Sequence, residues 1–150
     1  MKQPYKVPIV KLSYKSGANQ SEGIQVKTPD DCYKVFIAHW DKDQLEHKES
    51  FKMLLLNQAN VVMGIYDIAE GGITTTIVDV RIILQAAILA NATSIVLAHN
   101  HPSGDVIPGT NDMGMTKQIK QAAMYVDILL HDHIIVGKDR FYSFAAKGIL

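Results

Sequence analysis

Apolar and polar positions change rhythm along this chain, and the changes mark its elements. Residues 5–14, YKVPIVKLSY, alternate loosely and predict a strand. Pro8 lacks a backbone donor, which suits a sheet edge. Thr28 or Asp30 caps a helix that runs to about His39, with Pro29 near its first turn. The polar run after Trp40, DKDQLEHKES, reads as a turn or the start of the next element. Two strands follow, near 50–56 and 61–69, joined by Asn-Gln-Ala-Asn as a hairpin and closed by Gly71 and Gly72. A short strand is expected at 74–78. Asp79 then caps a helix, VRIILQAAILAN, that is apolar over a wide face and ends at Asn91.

The next segment, TSIVLA at 93–98, is continuously apolar and of strand length, the pattern of a strand covered on both faces. A loop over 99–109, a helix from about 110 to 125, a strand over 127–136 and a final turn and strand at KDRFYSF complete the chain. Helices interleave with strands and one strand pair is a hairpin. The expectation is an α/β sandwich around a mixed sheet, as one compact domain over 1–150.

Composition narrows the class. The 150 residues are 47% hydrophobic and 20% charged, with zero formal net charge. That is the balance of a globular protein with a core of its own. Nonspecific nucleic-acid binding leans on a basic surface, and a neutral chain starts without that support. Residues 1–27 carry five lysines against one glutamate, Glu22, which reads first as a solvated face. The single cysteine, Cys32, excludes an internal disulfide and a cysteine-rich zinc site, and its neighbours Val35 and Phe36 place it in the core. No apolar run reaches the ~18 residues of a membrane span, and the start, MKQPYKVPIV, has no signal-like apolar stretch. A cytoplasmic location is expected.

The chemistry concentrates in residues 97–112, LAHNHPSGDVIPGTND. Residues two apart on an extended backbone share a side, so His99 and His101 point together. Pro102 disfavours the helical region for His101 and keeps the pair parallel. The turn-rich segment that follows lets the chain fold back, and Asp112 opens the next helix. Two neutral imidazoles, one carboxylate and an open fourth position form the catalytic pattern for a single zinc ion. Such an ion lowers the pKa of a bound water from ~15.7 towards ~7. A hydrolase also needs a proton acceptor. The four glutamates are Glu22, Glu46, Glu49 and Glu70. Glu49, at the mouth of the apolar strand FKMLLL, is modestly ahead of Glu46.

Each of these residues has a plainer reading. His99 and His101 also fit loop histidines bonded to backbone. Asp112 is the acid that any helix N-terminus favours, and Glu49 fits a solvent-facing strand end. His131 and His133 form a second His-x-His inside a strand, where they are expected to share a face. No carboxylate follows them at a turn, so they read as structural or supporting residues rather than a second metal site. Thr116, four residues after Asp112, lies on the same helical face and is placed to bond its carboxylate. The methionines, Met113 and Met115 among them, read as packing.

The run HNHPSGD…P…D…T, preceded by ESFKMLLLN and followed by LLHDHIIVG and YSF, resembles the RadC family. That family is the bacterial branch of the JAB/MPN (JAMM) metalloprotein superfamily. The similarity covers about residues 30–150. It implies an MPN/JAB-like, cytidine-deaminase-like fold, a mixed sheet with helices on both sides. The superfamily pattern of an upstream Glu, His-x-His-Pro and a downstream Ser-x-x-Asp falls on Glu49, His99, His101, Pro102 and Asp112. The resemblance thus selects Glu49 over Glu46. It implies zinc-dependent peptidase or isopeptidase chemistry, with activated water attacking an amide carbonyl and the glutamate moving its proton. It also makes Asp132–His133 a family-typical pair.

Two departures stand out. Gly109 occupies the serine position of Ser-x-x-Asp, where the hydroxyl helps hold the oxyanion. Thr110 next to it is a candidate substitute, and loss of one such donor costs ~10²–10³ in turnover. The helix-hairpin-helix-like region of longer members is not seen in this sequence, which weakens a direct DNA role. Two functions stay open: a zinc metallohydrolase acting on an unknown peptide or isopeptide, and a catalytically weak metal-binding scaffold in a DNA-repair setting.

Overall fold

The computed structural model describes residues 5–11, 13–15, 23–73 and 76–150. Helix α1 spans Pro29–Ala38, strands β1 and β2 span Ser50–Leu56 and Val62–Glu70, and α2 spans Val80–Leu89. They are followed by β3 (Ser94–Asn100), α3 (Thr110–Met124), β4 (Leu129–Val136) and β5 (Phe141–Ser143). The sheet order is β2-β1-β3-β4-β5. The β3–β4 pair is parallel and the other neighbours are antiparallel. This is the mixed, α/β JAB/MPN-like sheet expected from the sequence.

Local chemistry explains the boundaries. Thr28 and Asp31 cap α1 reciprocally: the Asp31 N–H donates to Thr28 Oγ1 at 3.2 Å and the Thr28 N–H to Asp31 Oδ2 at 2.9 Å. Asp79 caps α2 by accepting from the Arg81 N–H at 2.9 Å. The hairpin turn is set by Asn57, whose Oδ1 accepts from the N–H groups of Ala59 and Val61. Asn60, Asn91 and Asp127 take the left-handed conformation at the hairpin turn and beyond the ends of α2 and α3. Asn and Asp are the residues that tolerate it best after glycine. At Gly137, which opens the turn into β5, a Cβ would lie 2.9 Å from the Arg140 carbonyl oxygen.

The sheet is covered on both faces, and strand alternation sorts the side chains. Phe51, Met53, Leu55, Ile95 and Leu97 pack with Ile83, Ala87, Ile119 and Ala123 of α2 and α3. Leu54, Leu56, Val96, Ala98 and Ile134 pack with Cys32, Val35 and Phe36 of α1 on the other face. His99 continues the alternation of Ile95 and Leu97, so it faces the α2/α3 side.

Three expectations need correction. Residues 5–11 and 13–15 form no strand, and Tyr5, Val7, Ile9 and Val10 are exposed. Their alternation finds no neighbouring strand among the described residues to satisfy its backbone. Leu12 lies outside the described residues. In the segment expected as a strand at 74–78, residues 76–78 are irregular, and Thr74 and Thr75 lie outside the described residues. Strand β3 extends through Asn100, so His99 and Asn100 belong to the strand and not to the loop. None of the described helices is long and apolar enough to cross a membrane.

Candidate metal centre

Strand β3 and helix α3 bring three side chains together. His99, the penultimate residue of β3, is fully buried and stacks on Phe51, with ring centroids 5.6 Å apart. His101 follows one residue beyond the strand. Its Nδ1 lies 2.9 Å from the carbonyl oxygen of Asp105. A carbonyl only accepts, so Nδ1 carries a hydrogen and Nε2 is the nitrogen left to face the cluster. Asp112 sits in the first turn of α3, where its Oδ2 accepts from the Gly109 N–H at 2.7 Å. The helix start thus holds the carboxylate in place.

The three donor groups converge. His99 Nε2 is 3.0 Å from His101 Nε2 and 3.2 Å from Asp112 Oδ1, and His101 Nε2 is 3.3 Å from Asp112 Oδ2. A tetrahedral site with bonds of ~2.0–2.1 Å has edges of about 3.3 Å, so these spacings fit one ion. The donor set, two imidazole nitrogens and a carboxylate, suits zinc. Among the described residues this is the one cluster of three or more histidine, cysteine or acidic side chains close enough to share an ion.

Electrostatics reinforce the grouping. The bond to Asp112 raises His101 above the ordinary imidazole value, against the opposing effect of burial. Burial pushes Asp112 upward, but the close imidazoles of His101 and His99 outweigh it and hold that carboxyl far below the usual range. A site that keeps its carboxylate ionised is preset for a cation.

Glu49 lies just ahead of β1. Phe51 pairs with His99 across the β1–β3 ladder. Extending that antiparallel register by two places sets Glu49 opposite His101. Glu49 is 8% exposed and, with His101, Gly109, Thr110 and Asp112, lines a cleft of about 600 Å³. Burial raises its carboxyl above the ordinary glutamate value, and the neighbouring Asp112 charge adds to this while His99 and His101 oppose it. Glu46 lines a separate pocket on the far side of His101.

The supporting candidates separate. Thr110 is exposed at the cleft and opens α3. His133 is fully buried beneath His99, its Nε2 2.8 Å from His99 Nδ1. Burial, with His99 beside it, drives His133 well below the ordinary imidazole value. Thr116 bonds the Asp112 main chain rather than its carboxylate: Thr116 Oγ1 donates to Asp112 O at 2.6 Å and also lies 2.6 Å from His133 Nδ1. Asp132 faces away from the cluster. It accepts from Ser143 Oγ at 2.5 Å and from the N–H groups of His133 and Ala145, so it ties β4 to the chain around β5.

His131 and His133 do not share a face. The β3–β4 register skips His131, pairing Ile95 with Leu130 and Val96 with Asp132. This bulge turns His131 to the α1 side, where its Nε2 meets Asn60 Oδ1 at 3.1 Å. A bulge is invisible to counting by twos.

Sequence reasoning missed Asn100 and Thr76. Asn100, between His99 and His101, is fully buried on the opposite face. Its Nδ2 donates to the carbonyls of Leu45 and Lys48, and its Oδ1 accepts from the Ser50 N–H. It thereby fixes both sides of Glu49. An asparagine inside an apolar strand was the available signal, since a buried amide must be bonded. Thr76 Oγ1 is buried with no hydrogen-bond partner among the described residues, at the wall of the Glu49 cleft.

With this geometry the chain compares directly with known proteins. The family model for the RadC-like JAB domain matches residues 26–149. The chain belongs to the RadC-like JAB domain family. A RadC-family relative from Escherichia coli K12, UPF0758 protein YfjY, is 43% identical over 103 residues, 69% of this chain and 64% of that protein. A UPF0758 protein from Clostridium beijerinckii is 35% identical over 127 residues, covering 85% of this chain and 54% of its own length. One from Salinibacter ruber is 35% identical over 138 residues, 90% of this chain and 57% of that protein. The chain spans a little over half the length of these RadC-like relatives.

Proposed function

We propose that this RadC-like domain is a zinc-dependent hydrolase of amide bonds, peptide or isopeptide, acting inside the cell. The observation that carries the reading is the meeting of His99 Nε2, His101 Nε2 and the two oxygens of the Asp112 carboxylate, one facing each imidazole, at 3.0–3.3 Å, in a cleft that Glu49 also lines. His99, His101 and Asp112 would hold a zinc ion there, which would supply Lewis acidity and make water acidic enough to react near neutral pH.

The chain's own residues do the rest. Glu49, kept from bulk water, accepts a proton from the attacking water and returns it to the leaving nitrogen. Its raised pKa suits both halves of that transfer. Ile77 and Ile107 line the same cleft and are 92% and 68% exposed. Isoleucines this bare gain ~1.5–3 kcal/mol each on full burial, so the reading gives them apolar side chains of the substrate to cover.

The test pairs metal content with turnover. Purified wild type is expected to carry about one zinc per chain and His99→Ala/His101→Ala none. Glu49→Gln should keep the metal and lose at least ~10²-fold in hydrolysis of a peptide library. Wild type with no bound zinc, or Glu49→Gln with full activity, contradicts the proposal.

Gly109 favours a second reading, a metal-binding scaffold with little hydrolysis, serving a partner in DNA maintenance. The hydroxyl that the superfamily pattern places there is missing, and Thr110 or Thr76 must stand in if the cleft is active.

A further inference from the structure

We propose that Thr116 and His133 are positioning residues that fix which nitrogen of His99 carries its proton, and so present a bare Nε2 lone pair to the metal. This deepens the metal-centre reading and rests on it. The argument begins at the far end of the chain of contacts. Thr116 Oγ1 and the Asp112 carbonyl oxygen are 2.6 Å apart. Two oxygens that close need a hydrogen between them, and a carbonyl brings none. The Thr116 hydroxyl hydrogen is therefore committed to Asp112 O.

That commitment travels back to the site. Thr116 Oγ1, its one hydrogen spent, meets His133 Nδ1 at 2.6 Å as an acceptor, so Nδ1 must carry a hydrogen. His133 is fully buried and, among the described residues, its ring nitrogens meet only Thr116 Oγ1 and His99 Nδ1, with no carboxylate to hold a second proton; a neutral imidazole carries one hydrogen, which leaves His133 Nε2 bare. His133 Nε2 lies 2.8 Å from His99 Nδ1. His99 Nδ1 must then be the donor, and His99 Nε2 is left with a lone pair beside His101 Nε2 and Asp112 Oδ1. With the protons running the other way, a hydrogen would sit on His99 Nε2, where the metal belongs.

The rings have little freedom to choose otherwise. His99, His133 and Phe144 are fully buried, Phe51 stacks on His99, and Phe144 stacks on His133 at 4.8 Å between centroids. The relay also closes on itself: it starts at the main chain of Asp112 and ends beside that residue's carboxylate. One helical turn thus aims the acid ligand and, through two side chains, sets the proton on the imidazole ligand. Partners behind a ligating histidine typically change metal affinity ~10–100-fold when removed.

The experiment reads tautomer and affinity separately. Nitrogen-15 NMR of metal-free wild type should show His99 protonated at Nδ1 and bare at Nε2. Thr116→Val keeps the shape and removes the acceptor. It should give mixed tautomers at His99 and weaken zinc binding, by chelator competition, ~10–100-fold. Thr116→Ser keeps the hydroxyl and should behave as wild type in both. His133→Phe preserves the aromatic packing and serves if Thr116→Val does not fold. It should weaken zinc equally, and the double variant no further. A Thr116→Val or His133→Phe protein with wild-type zinc affinity overturns the relay, as does Thr116→Ser failing like valine. If wild type itself binds no zinc, the metal reading fails, while the tautomers of the metal-free protein still decide the relay.

Discussion

His101 and Asp112 answer to protons before they answer to metal, and the two shifts have opposite signs. Asp112 is held below its ordinary value, so its stabilising pairing is present above that value and is lost as pH falls through the lowered one. His101 is raised, so its contribution is complete below the ordinary imidazole value and is lost as pH rises through the raised one. In the metal-free protein the pair therefore stabilises most between about pH 4 and 6.5. Zinc must displace the His101 proton. Its affinity should fall about tenfold per pH unit below the raised His101 value. Chelator competition from pH 5.5 to 8 checks this, and a flat profile would remove His101 from the ligand set.

At the scale of elements, the start of α3 is where this chain leaves its family's pattern. Gly109 has φ −83°, and a Cβ there would meet Asp112 Oδ2 at 3.5 Å, ordinary contact distance. Serine therefore fits without strain, and as an N-cap it differs from glycine by only a few tenths of a kcal/mol. Gly109→Ser should leave the melting temperature nearly unchanged. If the cleft hydrolyses amides, the restored hydroxyl should raise turnover, with ~10²–10³-fold as the ceiling for one oxyanion donor. Equal turnover in both proteins, measured on one peptide library, would favour the scaffold reading. The helix boundaries were legible beforehand because capping is local chemistry: Thr28, Asp79 and the turn residues announce themselves. The hairpin was legible for the same reason. Residues 5–11 and 13–15 carried a strand-like alternation that no strand among the described residues completes, and pairing is a property of two segments.

The whole molecule holds the site by clamping one sheet between helices. Ile119 of α3 is fully buried against the face that His99 shares. Ile119→Ala should cost ~2–5 kcal/mol through the cavity it leaves, seen as a clear drop in the urea midpoint. It should also weaken zinc binding, because α3 carries Asp112. Zinc bound only by the native state adds ~2.7 kcal/mol at a hundredfold excess over its dissociation constant. Chelation should therefore lower the melting temperature of wild type and leave His99→Ala/His101→Ala unmoved. A chelator effect of equal size on both would place the stabilising metal elsewhere.

Sequence alone singled out the candidate donor residues and most of the elements, because His-x-His-Pro, a helix-opening aspartate and strand-length apolar runs are local patterns with local causes. It determined the family as well, through motifs in a specific order. Tertiary structure decided what those patterns do to one another. It set Glu49 opposite His101 through the β1–β3 register, turned His131 away at a bulge, put Asn100 to work holding the approach to Glu49, and laid Thr116 and His133 behind His99. Each of these depends on segments far apart in the chain meeting at hydrogen-bond distance, and no residue's neighbours in sequence record such a meeting.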